Sequence, residues 1–280
     1  MSILSRPEFH DEEAAYAYVE KHVWKNGPTC PRCGGNDRIT KMQGKSTRIG
    51  TYKCRACRKP FTVKIGTIFE SSHVKMRLWL QAIYLMCASK KGVSSNQLHR
   101  TLGVTLKTAW FMSHRIREAM KNDTLSVFGS GGGLVEVDET YMGNTRGQGQ
   151  GGHLSKKRKI LTLVDRETQL MTDQAMHYRK IGESFAEHHR VNHSAGEYVN
   201  LQNRELHTNT VENYFSVFKR GMKGVYQHCA EKHLNRYLAE YDFRYNNRSA
   251  LEINDKERAD NLLSSVSGKR LTYQRSHREA

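Results

Sequence analysis

Apolar residues repeat at helical spacing between residues 75 and 120, and this pattern predicts three short helices. The first carries its apolar stripe on Met76, Trp79, Leu80, Ile83 and Met86. Ser94 or Ser95 can cap a second helix that runs to Leu102, and Gly103 then allows a turn. Thr105 caps a third helix, whose inward residues are expected to be Leu106, Ala109, Trp110, Ile116 and Met120. This order favours a helix-turn-helix domain over residues 72–121, with a plain three-helix bundle as the alternative.

The third helix also carries basic side chains, which the pattern leaves on its outer face. These are Lys107, His114, Arg115 and Arg117. A basic helix after a glycine-containing turn is typical of DNA recognition. We therefore expect these four side chains to contact DNA, and a fragment that ends near Gly133 to bind DNA without the rest of the chain.

Alternating runs replace the helical pattern downstream of residue 133, and the first of them predicts a strand over residues 134–141. Val135 and Val137 alternate with Glu136 and Asp138, so one face of the strand is apolar and the other is acidic. The strand is expected to end in the Asp138 carboxylate.

Further elements follow this strand in the sequence. Residues 160–164 predict a second strand, paired antiparallel with the first, and residues 170–173 predict a third that ends in Asp173. A helix over about residues 178–188 and a short strand near Val191 come next.

An amphipathic helix is predicted near residue 211, because several apolar residues fall at helical spacing. We expect Val211, Tyr214, Phe215, Phe218 and Met222 to be buried. Glu212 lies near the start of this helix and Lys219 lies two turns later on the same face, an arrangement that elsewhere is usually a solvated surface. A last helix over about residues 232–245 should show Arg236, Arg244 and Arg248 to solvent.

Charge narrows the class of protein. The 280 residues carry a net charge of +17, which favours a polyanionic partner such as nucleic acid over a merely basic soluble protein. The longest apolar run, residues 82–88, is too short to span a membrane, and the N-terminus does not resemble a signal peptide. We expect a cytoplasmic, nucleoid-associated protein of bacterial type with no membrane partner.

Four of the six cysteines form two CxxC pairs. Cys30 and Cys33 are separated by twenty residues from Cys54 and Cys57, a spacing that predicts one structural Zn²⁺ held by four thiolates. Short β-prone runs around the pairs make residues 27–66 a zinc ribbon, preceded by a lead-in helix within residues 1–26. Many zinc ribbons bind protein rather than DNA, so the spacing alone leaves the partner open.

Glycine-rich segments flank the first strand. Residues 122–133 form a linker, and the glycines of residues 143–152 predict a loop with no core of its own. The basic run Lys156, Lys157, Arg158 and Lys159 follows that loop. These residues can close on a phosphate backbone, with a solvated hairpin loop as the alternative.

Three carboxylates complete the candidate chemistry. Asp138 and Asp173 at strand ends, with Glu212 on a helix, can hold two Mg²⁺ or Mn²⁺ ions, because hard divalent cations prefer oxygen ligands. Two such ions activate an attacking oxygen and stabilise a leaving oxygen in phosphodiester displacement.

Several motifs together resemble the insertion-sequence transposases of ISXO type, which have an N-terminal zinc ribbon and a DDE domain of RNase H-like fold. The resemblance rests on CPRCGG, YKCRACRKPF, EVDETYMG, LMTD, VNHSAGEYV and HTNTVENYFSVFKRG, and it covers most of the chain. It implies a multidomain α+β protein with an α/β catalytic domain over residues 134–275.

The resemblance also implies roles and partners. Asp138, Asp173 and Glu212 would be the catalytic triad, with Lys219 as a DNA-contacting partner and Asn209 or Asn213 as secondary candidates for the third position. The implied partners are double-stranded DNA, both terminal inverted repeats and target, and further copies of the chain in a homo-oligomer on that DNA. The implied activity is DNA cleavage and strand transfer.

One departure from the resembled family lies between the second and third predicted strands. Only residues 165–169 connect them, where an RNase H-like sheet has a further strand and a helix. An internal deletion of this kind predicts a weakened catalytic domain. It leaves a catalytically impaired DNA-binding protein or repressor as the alternative function, and a stand-alone nuclease as a third.

Overall fold

The computed structural model describes residues 2–122, 133–142, 158–165, 168–173, 188–191, 209–227 and 229–271. The chain divides into two compact units, and the first joins two separated segments. Residues Met1–Asn122 and Gly221–Ala280 form this unit, termed the helical unit. Residues Asp123–Arg220 form the second, termed the sheet unit.

Four helices organise the first segment of the helical unit. They are α1 (Glu12–Val23), α2 (Met76–Ala88), α3 (Ser95–Leu102) and α4 (Leu106–Met120). Ser94 and Thr105 cap α3 and α4 through their side chains, and Gly103 ends α3 in the left-handed conformation. The three helices predicted for residues 75–120 are therefore present, with both caps and the glycine turn in place.

The zinc ribbon folds as a small antiparallel sheet beside these helices. Its strands are β1 (Ile39–Lys41), β2 (Tyr52–Cys54) and β3 (Pro60–Phe61), in the order β1-β2-β3. Trp24, at the end of α1, packs edge-on against the rings of Tyr52 and Phe61 at 5.3 and 5.8 Å. This aromatic cluster supplies the apolar core that such a short sheet lacks on its own.

Four strands and one helix make up the described part of the sheet unit. The strands are β4 (Gly133–Met142), β5 (Arg158–Asp165), β6 (Thr168–Asp173) and β7 (His188–Val191), in the order β5-β4-β6-β7. Strand β5 is antiparallel to β4, whereas β6 and β7 are parallel to their neighbours. The helix is α5 (Asn209–Gly221), and a π-helical turn over Met222–Tyr226 follows it.

Strand β6 begins at Thr168, so the connection from Asp165 is shorter than the sequence predicts. The predicted helix over residues 178–188 falls mostly outside the described residues. Strand β5 lies at an edge of the described sheet, and Leu161 and Leu163 on it are 48% and 40% exposed. An exposed apolar edge of this kind is what the predicted deletion implies.

The chain then returns to the helical unit through α6 (Leu234–Asn246) and α7 (Asp255–Ser264). Leu262 and Leu263 of α7 join the same buried core as Trp79 and Ile83 of α2. The predicted catalytic domain over residues 134–275 therefore differs from the observed unit, which ends at Arg220. Sequence patterns give the helices but do not reveal which of two cores an amphipathic helix joins.

A buried ionic network connects α6 to α4. Nε of Arg117 donates to Oε2 of Glu240 at 2.6 Å, and the two side chains are 1% and 0% exposed. Arg244 pairs with the other oxygen of Glu240, which also accepts from the Tyr226 hydroxyl at 2.6 Å. Burial raises the pKa of Glu240, but Arg244 and Arg117 outweigh it and hold that pKa below its usual range.

The expectation that the basic residues of α4 face outward is therefore wrong for three of them. His114, Arg115 and Arg117 are buried, and only Lys107 is exposed. Arg115 donates to the backbone carbonyls of Ile68 and Glu70, both at 2.7 Å. Segments that are distant in the sequence bury the face of α4 that the three-helix pattern predicts to be exposed.

Two smaller expectations also fail, for related reasons. Arg244 was expected in solvent but lies in the network with Glu240. Leu106 is predicted in the core, but it lies in the first turn of α4 and is 46% exposed. A helical repeat fixes which residues share a face, and not which face is covered.

Candidate functional site

The four cysteines of the CxxC pairs gather at one point of the ribbon. Sγ of Cys30 lies 3.6 Å from Sγ of Cys57, and Sγ of Cys33 lies 3.6 Å from Sγ of Cys54. All four sulfurs are within 4.8 Å of one another. Four sulfurs bonded to one zinc ion at about 2.3 Å lie about 3.8 Å apart. The donor type, number and spacing therefore fit one tetrahedral structural Zn²⁺.

The surface around this cysteine group is strongly basic. Residues 27–66 contain ten lysine or arginine residues against one aspartate, a net charge of +9. Nine of the ten are exposed: Arg32, Arg38, Lys41, Lys45, Arg48, Lys53, Arg55, Arg58 and Lys59. About half of the charge excess of the chain therefore lies on this small ribbon.

Three of these cations share the outer face of the ribbon sheet. Lys53 alternates with buried Tyr52 and Cys54, so it points away from the ribbon core. Arg55 donates from its backbone to the Arg38 carbonyl at 2.8 Å and from Nε to the Thr40 hydroxyl at 3.0 Å. We call Arg38, Lys53 and Arg55 the ribbon face.

In the sheet unit, register brings two predicted carboxylate positions side by side. Strand β4 pairs with β6 in parallel, from Gly133 opposite Thr168 to Val137 opposite Thr172. Asp138 and Asp173 are the next residues of the two strands, directly after this last pair. Neighbouring strands lie about 4.8 Å apart, so the two backbones are close at the point where the parallel pairing ends.

Strand β4 does not end at Asp138 as expected. It continues to Met142 because the antiparallel pairing with β5 extends to Met142 opposite Arg158. Asp138 therefore lies on a strand that is paired on one side, at the end of the parallel pairing on the other. Its Oδ1 accepts a hydrogen bond of 2.7 Å from the backbone N–H of Glu139.

A buried carboxylate joins helix α5 to this strand. The backbone N–H of Val211, in the first turn of α5, donates to Oε2 of Glu136 at 2.9 Å. Glu136 is 1% exposed and precedes Asp138 by two residues, so both side chains are on one face of β4. Glu212 follows Val211 directly and is half-buried, whereas Asn209 and Asn213 are exposed.

The remaining predicted contacts have different surroundings. Lys219 is exposed, with its ammonium 6.0 Å from the ring centre of Phe215. Lys159 forms an ion pair with Glu139, and Arg158 is half-buried at the start of β5. Lys156 and Lys157 lie outside the described residues. The expected burial of Val211, Tyr214, Phe215, Phe218 and Met222 is confirmed.

Among the side chains that the structure describes, only the four ribbon cysteines form a group of three or more that could hold a metal ion. The carboxylates expected to bind Mg²⁺ or Mn²⁺ are distributed over β4, β6 and α5. Asp138 and Asp173 come directly after the last parallel pair, Val137 and Thr172, and Glu212 lies in the first turn of a helix that is bound to the same strand. Carboxylate oxygens are the ligands that these hard cations prefer.

Sequence reasoning missed two features of these sites. The alternation of β4 showed that Glu136 shares a face with Asp138, but not that this glutamate is buried and bound to a helix. The charge of residues 27–66 is visible in the sequence, but the helical pattern of α4 is the stronger signal for DNA contact.

Two family models match the chain. A transposase zinc-ribbon domain matches residues 10–60, and an ISXO2-like transposase domain matches residues 155–246. The second match crosses from the sheet unit into α6 of the helical unit. The resemblance to insertion-sequence transposases with an N-terminal zinc ribbon is thereby confirmed.

A relative from Halobacterium salinarum agrees with these matches. It is described as an uncharacterized protein in transposable element ISH50, and it is 25% identical over 84% of this chain and 91% of its own length. No solved structure matches the chain. Among the described residues, no helix is both long and apolar enough to cross a membrane.

Proposed function

Because the chain carries the zinc-ribbon and transposase domains of an insertion-sequence protein, we propose that it binds the ends of its element, cuts DNA and joins it to a target. The observation that carries this proposal is the parallel register of β4 and β6, whose last pair, Val137 and Thr172, directly precedes Asp138 and Asp173. Strand order β5-β4-β6-β7 also supports an RNase H-like fold, with an antiparallel pair joined to parallel strands at the carboxylate-bearing strand.

In this proposal Asp138, Asp173 and Glu212 hold the catalytic ions. Mg²⁺ or Mn²⁺, when bound, supplies activation of the attacking oxygen and stabilisation of the leaving oxygen. Glu212 is favoured over Asn209 and Asn213 as the third ligand, because it is half-buried next to the residue that binds Glu136. Lys219 lies about 10 Å further along the helix, within reach of a DNA phosphate.

DNA contact is assigned mainly to the ribbon face. Arg38, Lys53 and Arg55 share one exposed side of the ribbon sheet, and the single acidic residue of the ribbon is Asp37. Lys107 remains as an exposed cation in the first turn of α4, the part of a recognition helix that reaches base edges. In this proposal, α3 and α4 contact DNA through Lys107 and the first turn of α4, and not through His114, Arg115 and Arg117.

The cleavage proposal is tested with DNA that carries the element ends, in Mg²⁺ or Mn²⁺. We expect Asp138→Asn, Asp173→Asn and Glu212→Gln each to reduce cleavage at least 100-fold while end binding stays within about threefold, because a lost ligand removes charge stabilisation from the reaction. Ser216→Ala, at an exposed position of the same helix, is the matched control. Full cleavage by any one of the three carboxylate variants would remove that residue from the site.

The DNA surface is tested with the triple variant Arg38→Gln, Lys53→Gln and Arg55→Gln. Each lost phosphate contact lowers the slope of log affinity against log salt by about 0.9, so we expect a decrease of about 2 to 3 in total. Glutamine at three exposed lysines outside the ribbon, Lys21, Lys75 and Lys90, is a control for the same loss of charge. Equal slopes for the two triple variants would show that net charge, and not the ribbon face, governs binding.

A DNA-binding protein without catalysis, acting as a repressor at element ends, is the second candidate. It is favoured by the exposed edge strand β5, with Leu161 and Leu163 in solvent. End binding without cleavage in either metal would support it. Cleavage without strand transfer would instead support a stand-alone nuclease.

A further inference from the structure

We propose that Glu136 is a positioning residue for the metal site, which holds the start of helix α5 against strand β4 and so fixes the separation of Glu212 and Asp138. This inference rests on the proposed function, because it assumes that both carboxylates bind the same pair of ions. Nothing in the sequence resemblance gives a role to this glutamate.

The geometry that carries the proposal is one hydrogen bond between two distant parts of the chain. Oε2 of Glu136 accepts from the backbone N–H of Val211 at 2.9 Å, across 75 residues of sequence. Both groups are buried, so the bond is shielded from competing water. A carboxylate at a helix start also satisfies an N–H that has no partner within the helix, and it interacts favourably with the helix dipole.

Position along the strand gives this bond its consequence for the site. Glu136 and Asp138 are two residues apart on one face of β4, about 6.7 Å along the strand. Val211 and Glu212 are adjacent at the other end of the bond. The hydrogen bond between Glu136 and Val211 therefore connects the two proposed ligands, Asp138 and Glu212, by a short path. Such a connection matters because metal–ligand distances tolerate deviations of only a few tenths of an ångström.

Anchoring explains why the acid is buried and why it is not itself a ligand in this proposal. The oxygen that accepts from Val211 points into the contact between β4 and α5. A hydrophobic residue could fill the same volume, but it would leave the buried Val211 N–H without this acceptor, which destabilises the contact. Helix α5 would then shift or fray at its first turn, where Glu212 lies.

The test uses the full chain and two substitutions of similar size. Glu136→Gln keeps an oxygen acceptor for Val211, whereas Glu136→Leu removes it. Mn²⁺ binding is titrated by electron paramagnetic resonance, and hydrogen exchange is measured at the first amides of α5. Thermal unfolding is recorded for both variants, so that only folded protein is compared.

We expect Glu136→Leu to weaken Mn²⁺ binding at least tenfold and to speed exchange of the Val211 amide at least tenfold. Glu136→Gln should stay within about threefold of the unaltered chain in both measurements. If the negative charge were required, Glu136→Gln would fail, and if only the size of the side chain mattered, Glu136→Leu would behave like the unaltered chain. Asp138→Asn removes a proposed ligand and should abolish high-affinity Mn²⁺ binding.

The outcomes separate the two proposals. If Glu136→Leu binds Mn²⁺ as the unaltered chain does while Asp138→Asn does not, the positioning role is overturned and the metal site stands. If Glu136→Gln fails like Glu136→Leu, the charge itself is required, and the positioning role is again overturned. If the unaltered chain binds no Mn²⁺, both proposals fall.

Discussion

At the scale of single residues, burial decides what a polar side chain does. His114 lies between the rings of Trp110 and His233, at 4.3 and 4.8 Å, and neither ring nitrogen has a hydrogen-bond partner within the described part of the chain. Burial, with Arg117 and His233 nearby, lowers the pKa of His114 to about 3. A histidine expected to meet DNA is thus a neutral core residue.

This burial predicts a pH dependence of stability. In the unfolded chain His114 binds a proton near its ordinary pKa of about 6.5, whereas in the folded chain it does not until about pH 3. The free energy of unfolding is therefore unaffected by this group well above pH 6.5, and it falls by up to about 1.4 kcal/mol per pH unit between pH 6.5 and about pH 3. His114→Phe should reduce the pH dependence of the free energy of unfolding between pH 6.5 and 4.5. Urea unfolding monitored by tryptophan fluorescence measures this.

A surface histidine gives the control for this prediction. His73 is exposed, so His73→Gln removes one imidazole without altering the buried cluster. Trp24, Trp79 and Trp110 all lie in the helical unit, so the signal reports on the unit that contains His114. Parallel stability curves for His114→Phe and the unaltered chain would contradict the prediction.

At the scale of elements, the ribbon depends on its cysteine group. Strands β1 to β3 have two or three residues each, and the buried cluster around them contains only Cys30, Tyr52, Cys54 and Phe61 with a few neighbours. So small a core rarely folds alone, and zinc binding then supplies folding free energy directly.

Metal analysis of the purified chain should find about one zinc per molecule. Cys30→Ser should lose that zinc and weaken DNA binding, because the ribbon face depends on the fold that the metal holds. Cys87→Ser, at a buried cysteine outside the group, is the matched control and should keep its zinc. A zinc-free chain with an intact ribbon would overturn the assignment.

Elements are also where sequence prediction worked best. The caps Ser94 and Thr105, the turn at Gly103 and the paired cysteines are local signals, and each is found as expected. The antiparallel pairing of the second predicted strand with the Asp138 strand is also confirmed. The slow cleavage inferred from the short connection after Asp165 stays a prediction.

Long-range packing is what the sequence concealed. The pairing of Arg117 with Glu240 spans 123 residues, and the bond from Val211 to Glu136 spans 75. No local pattern encodes either partner, so basic residues of α4 were assigned to DNA and Glu136 received no role. Local periodicity identifies a helix, whereas the identity of its neighbour depends on the whole chain.

At the scale of the whole molecule, the helical unit is completed by the C-terminal segment. A fragment of residues 1–122 lacks Glu240, which neutralises buried Arg117, and Leu262, which fills the core. Removing one partner of a buried ion pair costs about 3–5 kcal/mol, a large part of the stability of a domain. DNA binding by a fragment ending near Gly133 stays a prediction, and it requires that this fragment fold without the later segment.

We predict that residues 1–122 alone unfold at much lower temperature than the same residues joined to residues 221–271 by a long flexible linker. Glu240→Ala in the joined protein should remove much of the difference, whereas Glu252→Ala, at an exposed position in the same segment, should not. Calorimetry of the four proteins measures this. Equal transitions for the short fragment and the joined protein would contradict the prediction.

Because the helical unit contains two segments that are separated in the sequence, its parts are synthesised at different times. Arg117 leaves the ribosome 123 residues before Glu240. At about 5–20 residues per second, the arginine waits roughly 6 to 25 seconds for its partner. During that interval Arg117 keeps its hydration, and helix α4 cannot close onto α6. We therefore expect a nascent chain to acquire its complete helical unit only after the segment from Gly221 onward has been synthesised, and thus after the carboxylates of the sheet unit have been made.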